Sequence, residues 1–303
     1  MVRTGIYYNT ETEYPISEIQ KEIPELKFVG YFSDFQDVKA NIQIEKFENY
    51  TDFLSAIDAL LIFSDTILTN DIIIALKNLK HVFFINSQSA SLTDLRNFHK
   101  LANEAKTHIH PSVALNYKNT IETAKPFIKK PNYIETNYCK NFNTEKCNTN
   151  MIFNMIFEDI YSVLTIHNTR IKKIYPTFSC FNQQQAQILN VRIEFYNGLV
   201  ANMTASTITK KEEHELKIYD NNKLINIDFI KNSTHLISYR EKYVTPSLFS
   251  ESFGNLLVLE IPEQSENQLK KEIKHFAHSI INHSLSNNLL DILINANSIR
   301  HNF

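Results

Sequence analysis

Five short apolar runs punctuate the opening third of the chain: Val2–Tyr8, Leu26–Phe32, Ala59–Phe63, His81–Ile85 and His108–Leu115. Each is the length of a strand, and none alternates cleanly between apolar and polar residues. Strands of that kind are covered on both faces, which a parallel sheet flanked by helices provides. The stretches between them supply the helices: Pro15–Glu22, Thr51–Ala56, Asn70–Leu79 and Ser91–Ala105. The last is the best marked. Ser91 and Asp94 have capping-box spacing, and Leu95, Phe98, Leu101 and Ala105 form one stripe. Strand and helix alternating with short links predict a doubly wound parallel sheet over about residues 1–120.

The remainder reads differently. Asn150–Thr165 is apolar with helical spacing. Asn190–Ser206 predicts a hairpin with Asn197-Gly198 as a two-residue turn. On its first strand Val191, Ile193 and Phe195 alternate with Arg192, Glu194 and Tyr196, so one face is in a core and the other is wetter. Leu216–Ile230 predicts a second hairpin turning at Asp220-Asn221-Asn222. A helix is expected over Ser265–Asn282, capped by Ser265 and Gln268, with Leu269, Ile273, Phe276 and Ile280 buried. The expected architecture is therefore an N-terminal Rossmann-like α/β domain (1–120) followed by an α+β domain (121–303) with a mainly antiparallel sheet.

The first βαβ unit carries an anomaly. In a dinucleotide-binding unit the turn after the first strand is G-x-G-x-x-G. The glycines allow a tight turn, close approach of backbone to diphosphate, and close packing of helix on strand. Here Tyr8, Thr10 and Glu13 stand at those three positions. A tyrosine ring takes up space, and Glu11 and Glu13 put carboxylates where a helix N-terminus would hold an anion. A carboxylate about 5 Å from a phosphate costs roughly 3 kcal/mol at an effective dielectric of ~20. At the end of the second strand, Ser33 and Asp34 occupy the place of the acidic ribose-binding residue.

Composition excludes several classes. The chain has 303 residues, 43% hydrophobic and 21% charged, which is globular and long enough for two cores. Net charge is −2 with no basic tract, so no nucleic-acid partner is expected. No apolar run reaches the ~18 residues of a membrane span, and the chain opens on a strand with no leader, so a cytoplasmic protein without membrane attachment is expected. Cys139, Cys147 and Cys180 fit neither a disulfide framework nor a zinc knuckle, and free thiols are the plain expectation. Only four glycines occur, which argues against a glycine-cradled phosphate site. His108-x-His110 puts two imidazoles on one strand face, but no third ligand is near, and no metal site is assigned. His275 and His278 are expected on a solvated helix face.

Taken in order, several segments resemble the glucose–fructose oxidoreductase / inositol dehydrogenase (Gfo/Idh/MocA) family. Phe47–Phe63 resembles its short helix, Asp-Ala and buried strand. Ala75–Val82 resembles its Ala-Leu, Gly-Lys-His-Val segment, Phe195–Ala201 its Asn-Gly hairpin, and Glu272–Ile281 its late Glu-Phe helix. The resemblance implies a two-domain fold and hydride transfer between NAD or NADP and a sugar, cyclitol or related alcohol.

The residues that carry that chemistry in the family are replaced here. The family's Glu-Lys-Pro after the His-Val strand falls on Ile85, Asn86 and Ser87, and a slipped register brings Gln88, again not lysine. Its acid and histidine, four residues apart on a helix of the second domain, fall on Asn154 and Glu158, which share one helix face. Its Arg-aromatic-Asn-Pro stretch is replaced by Leu115–Lys118. Asn86, Asn154 and Glu158 are thus the family-position candidates, with Glu158 a conceivable general base. Two functions follow. One is a non-catalytic relative that binds a partner (a second copy or a catalytic paralogue) or a small sugar-like ligand, with no cofactor. The other is an active oxidoreductase that grips NAD or NADP unconventionally.

Overall fold

The computed structural model describes residues 1–10, 16–34, 44–113, 119–140, 149–180, 187–239, 251–253, 256–261, 267–284 and 287–300. In chain order the elements are β1 (Val2–Asn9), α1 (Ile16–Glu22), β2 (Leu26–Ser33), β3 (Glu45–Lys46), α2 (Tyr50–Ala56), β4 (Ala59–Ser64), α3 (Thr69–Lys77), β5 (His81–Phe84), α4 (Leu92–Ala105) and β6 (Ile109–Pro111). Then come α5 (Asn119–Ala124), β7 (Pro131–Cys139), α6 (Thr149–Ile166), β8 (Ile171–Ser179), β9 (Ile188–Phe195), β10 (Val200–Ser206), β11 (Glu213–Asp220), β12 (Lys223–Asp228) and β13 (Ser233–Tyr239). The chain closes with β14 (Glu251–Phe253), β15 (Leu256–Ile261), α7 (Gln268–Ile281) and α8 (Asn288–Arg300).

Two compact units result: Met1–Ala114 with Asn267–Ser298, and Leu115–Glu266 with Ile299–Phe303. The first differs from the expected 1–120, because α7 and nearly all of α8 return to it. The physical reason lies in the face left open by the parallel sheet. Ile273, Phe276, Ala277 and Ile280 of α7 share one core with Val2, Ile6, Leu61, Phe63 and Phe83 of the strands and Ile19 and Ile23 of α1. The amphipathic stripe was legible, but an amphipathic stripe names no partner.

The first unit holds a six-stranded sheet in the order β3-β2-β1-β4-β5-β6, and all its pairings are parallel. β4 is buried at all six positions, as a central strand covered on both faces must be. Gly5 is required by packing. A Cβ there would stand 2.5 Å from the ring of Phe53, which is itself fully buried on α2. α4 begins as its sequence implies, with the Ser91 hydroxyl oxygen accepting from the Asp94 backbone N–H.

The second unit is a nine-stranded sheet in the order β14-β15-β13-β12-β11-β7-β10-β9-β8, antiparallel except for β10 beside β7. Helix α6 packs on it through Ile152, Ile156, Phe157, Ile160 and Leu164. The β9–β10 loop is longer than expected: Phe195 N–H donates to the Leu199 carbonyl, leaving three residues, with Gly198 at φ +91°. That is the three-residue loop with a left-handed closing glycine, not the two-residue turn. The β11–β12 turn is the expected short one, with Asp220 opposite Lys223 and Asn221 at φ +48°.

Glycine is scarce enough that side-chain-bearing residues take left-handed positions. Leu79 (φ +59°) follows α3 and Lys106 (φ +52°) closes α4, places where glycine is usual. Asn86, Asn221, Asn232 and His283 are also left-handed. At α7 the cap is Asn267, whose side chain accepts from the Lys270 N–H, rather than Ser265, which lies outside the described residues.

Candidate functional site

In an open parallel sheet, ligands bind beyond the carboxyl ends of the strands. On this edge of the first unit stand the residues after β1, β2, β4, β5 and β6. Tyr8 is still inside β1, opposite Ser33 of β2 and Phe63 of β4, and its ring is buried in the core against Phe63. It is therefore a core aromatic. Thr10 follows, and its hydroxyl donates to Asp65 at 2.8 Å. Glu11 and Glu13 lie outside the described residues.

Asp34, the ribose-position acid, accepts a hydrogen bond from the Tyr7 hydroxyl at 2.8 Å. Tyr7 points to the opposite sheet face from Tyr8, among Phe32 and Tyr50. Burial, then the Asp34 bond and the nearby Asp71 charge, push its phenol upward, so it remains a donor. Asp71, in the first turn of α3, is itself raised above the usual carboxylate range by burial and by Asp34. Asp34, Asp65 and Asp71 thus make this edge acidic, and Asp71 feels Asp34 directly. Negative charge from Asp65 and Asp71 disfavours a diphosphate beside them, while an acid at Asp34 is compatible with a ribose hydroxyl.

Asn86 ends β5 in the left-handed conformation and opens a short 3-10 turn, Ser87–Ser89. Its side-chain N–H donates to the Ser64 carbonyl at 2.6 Å, tying the ends of β4 and β5 together. Asn86 also borders a partly open cavity of about 200 Å³, lined by Ile85, Asn86, Gln88, Ser112, Gln268, Leu269 and Glu272. Sequence reasoning missed Glu272 as a site residue. It is 1% exposed, and burial pushes its carboxyl up to about 8, with the Ser112 hydroxyl pulling the other way. The signal was available: an acid three residues from Leu269 and four from Phe276 lies on the buried face of α7.

His108 and His110 are core aromatics. His110 stacks on Phe83, His108 on Phe276, and the two rings stand 5.9 Å apart. Burial and the other imidazoles lower His108 to about 4 and His110 well below its usual value. Among the described residues, no three His, Cys, Asp or Glu side chains converge as a metal site. His275 and His278 are exposed, as expected.

In the second unit, Asn154 is exposed and Glu158 half-buried on α6, on the helix side away from the sheet-facing residues. The neighbouring Asp159 turns inward. It is fully buried, accepts from the Thr136 hydroxyl at 2.6 Å, and lies 2.9 Å from Nε2 of His214. Nothing in the spacing of Glu158-Asp159 and His214 announced that pair. Cys139 and Cys180 are free thiols, and Cys147 lies outside the described residues. Among the described residues, no helix is long and apolar enough to cross a membrane.

The parallel six-stranded domain, joined to a large mainly antiparallel sheet carrying one long helix, is the two-domain fold of Gfo/Idh/MocA-type dehydrogenases. Solved structures show the likeness over nearly the whole chain. UDP-N-acetylglucosamine 3-dehydrogenase GnnA from Acidithiobacillus ferrooxidans is 16% identical, with a TM-score of 0.79 over 99% of this chain and 96% of its own. The dehydrogenase MviM from Clostridium difficile is 13% identical, with a TM-score of 0.76 over 99% and 98%. GenD2 from gentamicin A biosynthesis, solved in complex with NAD, is 10% identical, with a TM-score of 0.68 over 99% and 93%. No protein-family model matches the sequence, and no curated protein sequence matches it.

Proposed function

We infer that this chain is a non-catalytic relative of the nicotinamide-dependent oxidoreductases, keeping their two-domain shell as a cytoplasmic binding or partner protein. The observation that carries this reading is the acidic carboxyl edge of the parallel sheet. Asp65 and Asp71 add negative charge to the edge on which Asp34 holds the ribose position, and added negative charge disfavours a diphosphate. Asn86, which the sequence resemblance aligns with the family's lysine, has its amide tied to the Ser64 carbonyl and is no substitute for a cation. The partner would be a second copy of the chain or a catalytic paralogue, and a small sugar-like molecule is the ligand in keeping with the shell.

The second reading is an active oxidoreductase on a sugar, cyclitol or similar alcohol. Its support is the full-length likeness to a structure that holds NAD. Glu158 would then serve as base on an exposed helix face. A thermal-shift panel with NAD, NADH, NADP and NADPH separates the two. A ligand at 100 times its dissociation constant adds about 2.7 kcal/mol. The non-catalytic reading expects no rise in melting temperature with any of the four, and a clear rise with one of them would overturn it.

A further inference from the structure

We propose that the cavity at the ends of β5 and β6 binds a short-chain primary amine, held as its ammonium against the carboxylate of Glu272.

Among the described residues, the cavity carries one ionisable group. Glu272 borders the cavity, its two carboxyl oxygens are shielded from solvent and without a full hydrogen bond, and an entering cation must turn the side chain to reach them. A buried acid without a partner must be neutralised by a proton or by a cation. Its carboxyl, pushed up to about 8, takes the proton when nothing else is present. A cation that enters the cavity displaces that proton and keeps the group neutralised as an ion pair.

The rest of the lining says what kind of cation. Asn86, Gln88 and Gln268 offer amide oxygens, and Ser112 offers a hydroxyl. These are neutral oxygen acceptors around a single carboxylate, suited to one positive charge. A divalent ion draws several carboxylates, and among the described residues no such group forms. Three N–H bonds from an ammonium can be shared between the carboxylate and these oxygens. Ile85 and Leu269 complete the lining with apolar surface, which accommodates a short carbon stem and gives no advantage to a bare ion. The volume of about 200 Å³ leaves room for a handful of heavy atoms. The other titratable groups on the packed elements are His81 at the start of β5, His108 and His110 at β6, and Lys270, Lys271, Lys274, His275 and His278 on α7. None of them lines the cavity among the described residues.

The test is calorimetric titration of the full chain with propylammonium chloride near neutral pH, in two buffers of different ionisation enthalpy. Propanamide, 1-propanol and potassium chloride serve as controls. The amine should bind at least tenfold tighter than the amide or the alcohol, with proton release seen as buffer-dependent heat. Glu272→Gln keeps the shape and removes the charge. It should lose at least tenfold in amine affinity while melting no lower than wild type. Equal binding of amine and neutral controls to the wild-type protein would overturn the proposal without recourse to any variant. Undiminished amine binding by Glu272→Gln would overturn it too, and displacement of the amine by an equal concentration of potassium would assign the cavity to an inorganic ion instead.

Discussion

Nε2 of His214 stands 2.9 Å from Oδ1 of Asp159, and both side chains are almost wholly buried between α6 and the antiparallel sheet. The imidazole also lies flat on the Tyr138 ring, with centroids 3.8 Å apart and planes 4° from parallel. The second carboxylate oxygen takes the Thr136 hydroxyl. Removing one partner of a buried pair strands the other. His214→Ala should therefore lower unfolding free energy by about 3–5 kcal/mol. Thr136→Val, which removes one of two partners, should lower it by about 1–3 kcal/mol. Urea unfolding of the two variants checks the order, and a neutral His214→Ala would show that the pair contributes little.

The buried groups of the first unit predict opposite slopes of stability with pH. Glu272 has its pKa raised to about 8 by burial, so the folded state holds a proton that the unfolded state gives up. Its contribution is full below the unfolded value of about 4.3 and is lost as pH rises through about 8. His108 is lowered to about 4 by burial, so its contribution is present above about 6.5 and is lost as pH falls through about 4. The two slopes oppose each other between about pH 5 and 6.5, so melting temperature should decline between about pH 6.5 and 8 in a way that Glu272→Gln abolishes. The variant should keep the acid-side loss. Parallel alkaline slopes for variant and wild type would contradict the buried, unpartnered acid.

Gly5 faces the Phe53 ring at a distance no Cβ tolerates. Phe53 cannot swing away easily, since Phe32, Phe47 and Tyr50 pack around it. Gly5→Ala should destabilise by about 1–3 kcal/mol through overpacking. The double variant Gly5→Ala, Phe53→Leu should recover part of that loss. Chemical denaturation of the two variants gives the answer, and an unchanged midpoint for Gly5→Ala would mean the ring yields.

The acidic edge offers a milder test. Asp71 is raised by burial and by Asp34, and Tyr7 donates to Asp34. Asp71→Asn should raise stability slightly at pH 8, by about 0.5–1 kcal/mol, since a like charge disappears. Tyr7→Phe should lower it by about 1 kcal/mol. A loss of stability on Asp71→Asn would show that the carboxylate has an attractive partner outweighing Asp34.

The sheet architecture was legible because its signals are local. Ala59–Phe63 cannot be half-exposed, and Ser91 with Asp94 caps a helix wherever that helix packs. Residues that meet across long sequence distances were not legible. Asp159 and His214 are separated by three strands whose alternation fixes which face each side chain takes but not what waits there. Glu272 was visible as an acid on an apolar stripe, yet its significance depended on α7 returning to the parallel sheet. Tyr8 is in the core because β1 runs on to Asn9 and its pairing with β4 keeps the ring there.

The left-handed joints after α3 and at the end of α4 bear on how far the molecule could be hardened. Asparagine tolerates that backbone at Asn86, Asn221 and Asn232, but Leu79, Lys106 and His283 crowd a Cβ against a carbonyl at roughly 1 kcal/mol apiece. Glycine there would relieve the crowding and give back part of the gain through a floppier unfolded chain. A residual improvement of some tenths of a kcal/mol at each joint leaves this polypeptide with unused thermal headroom at positions that do not line the cavity beside Glu272.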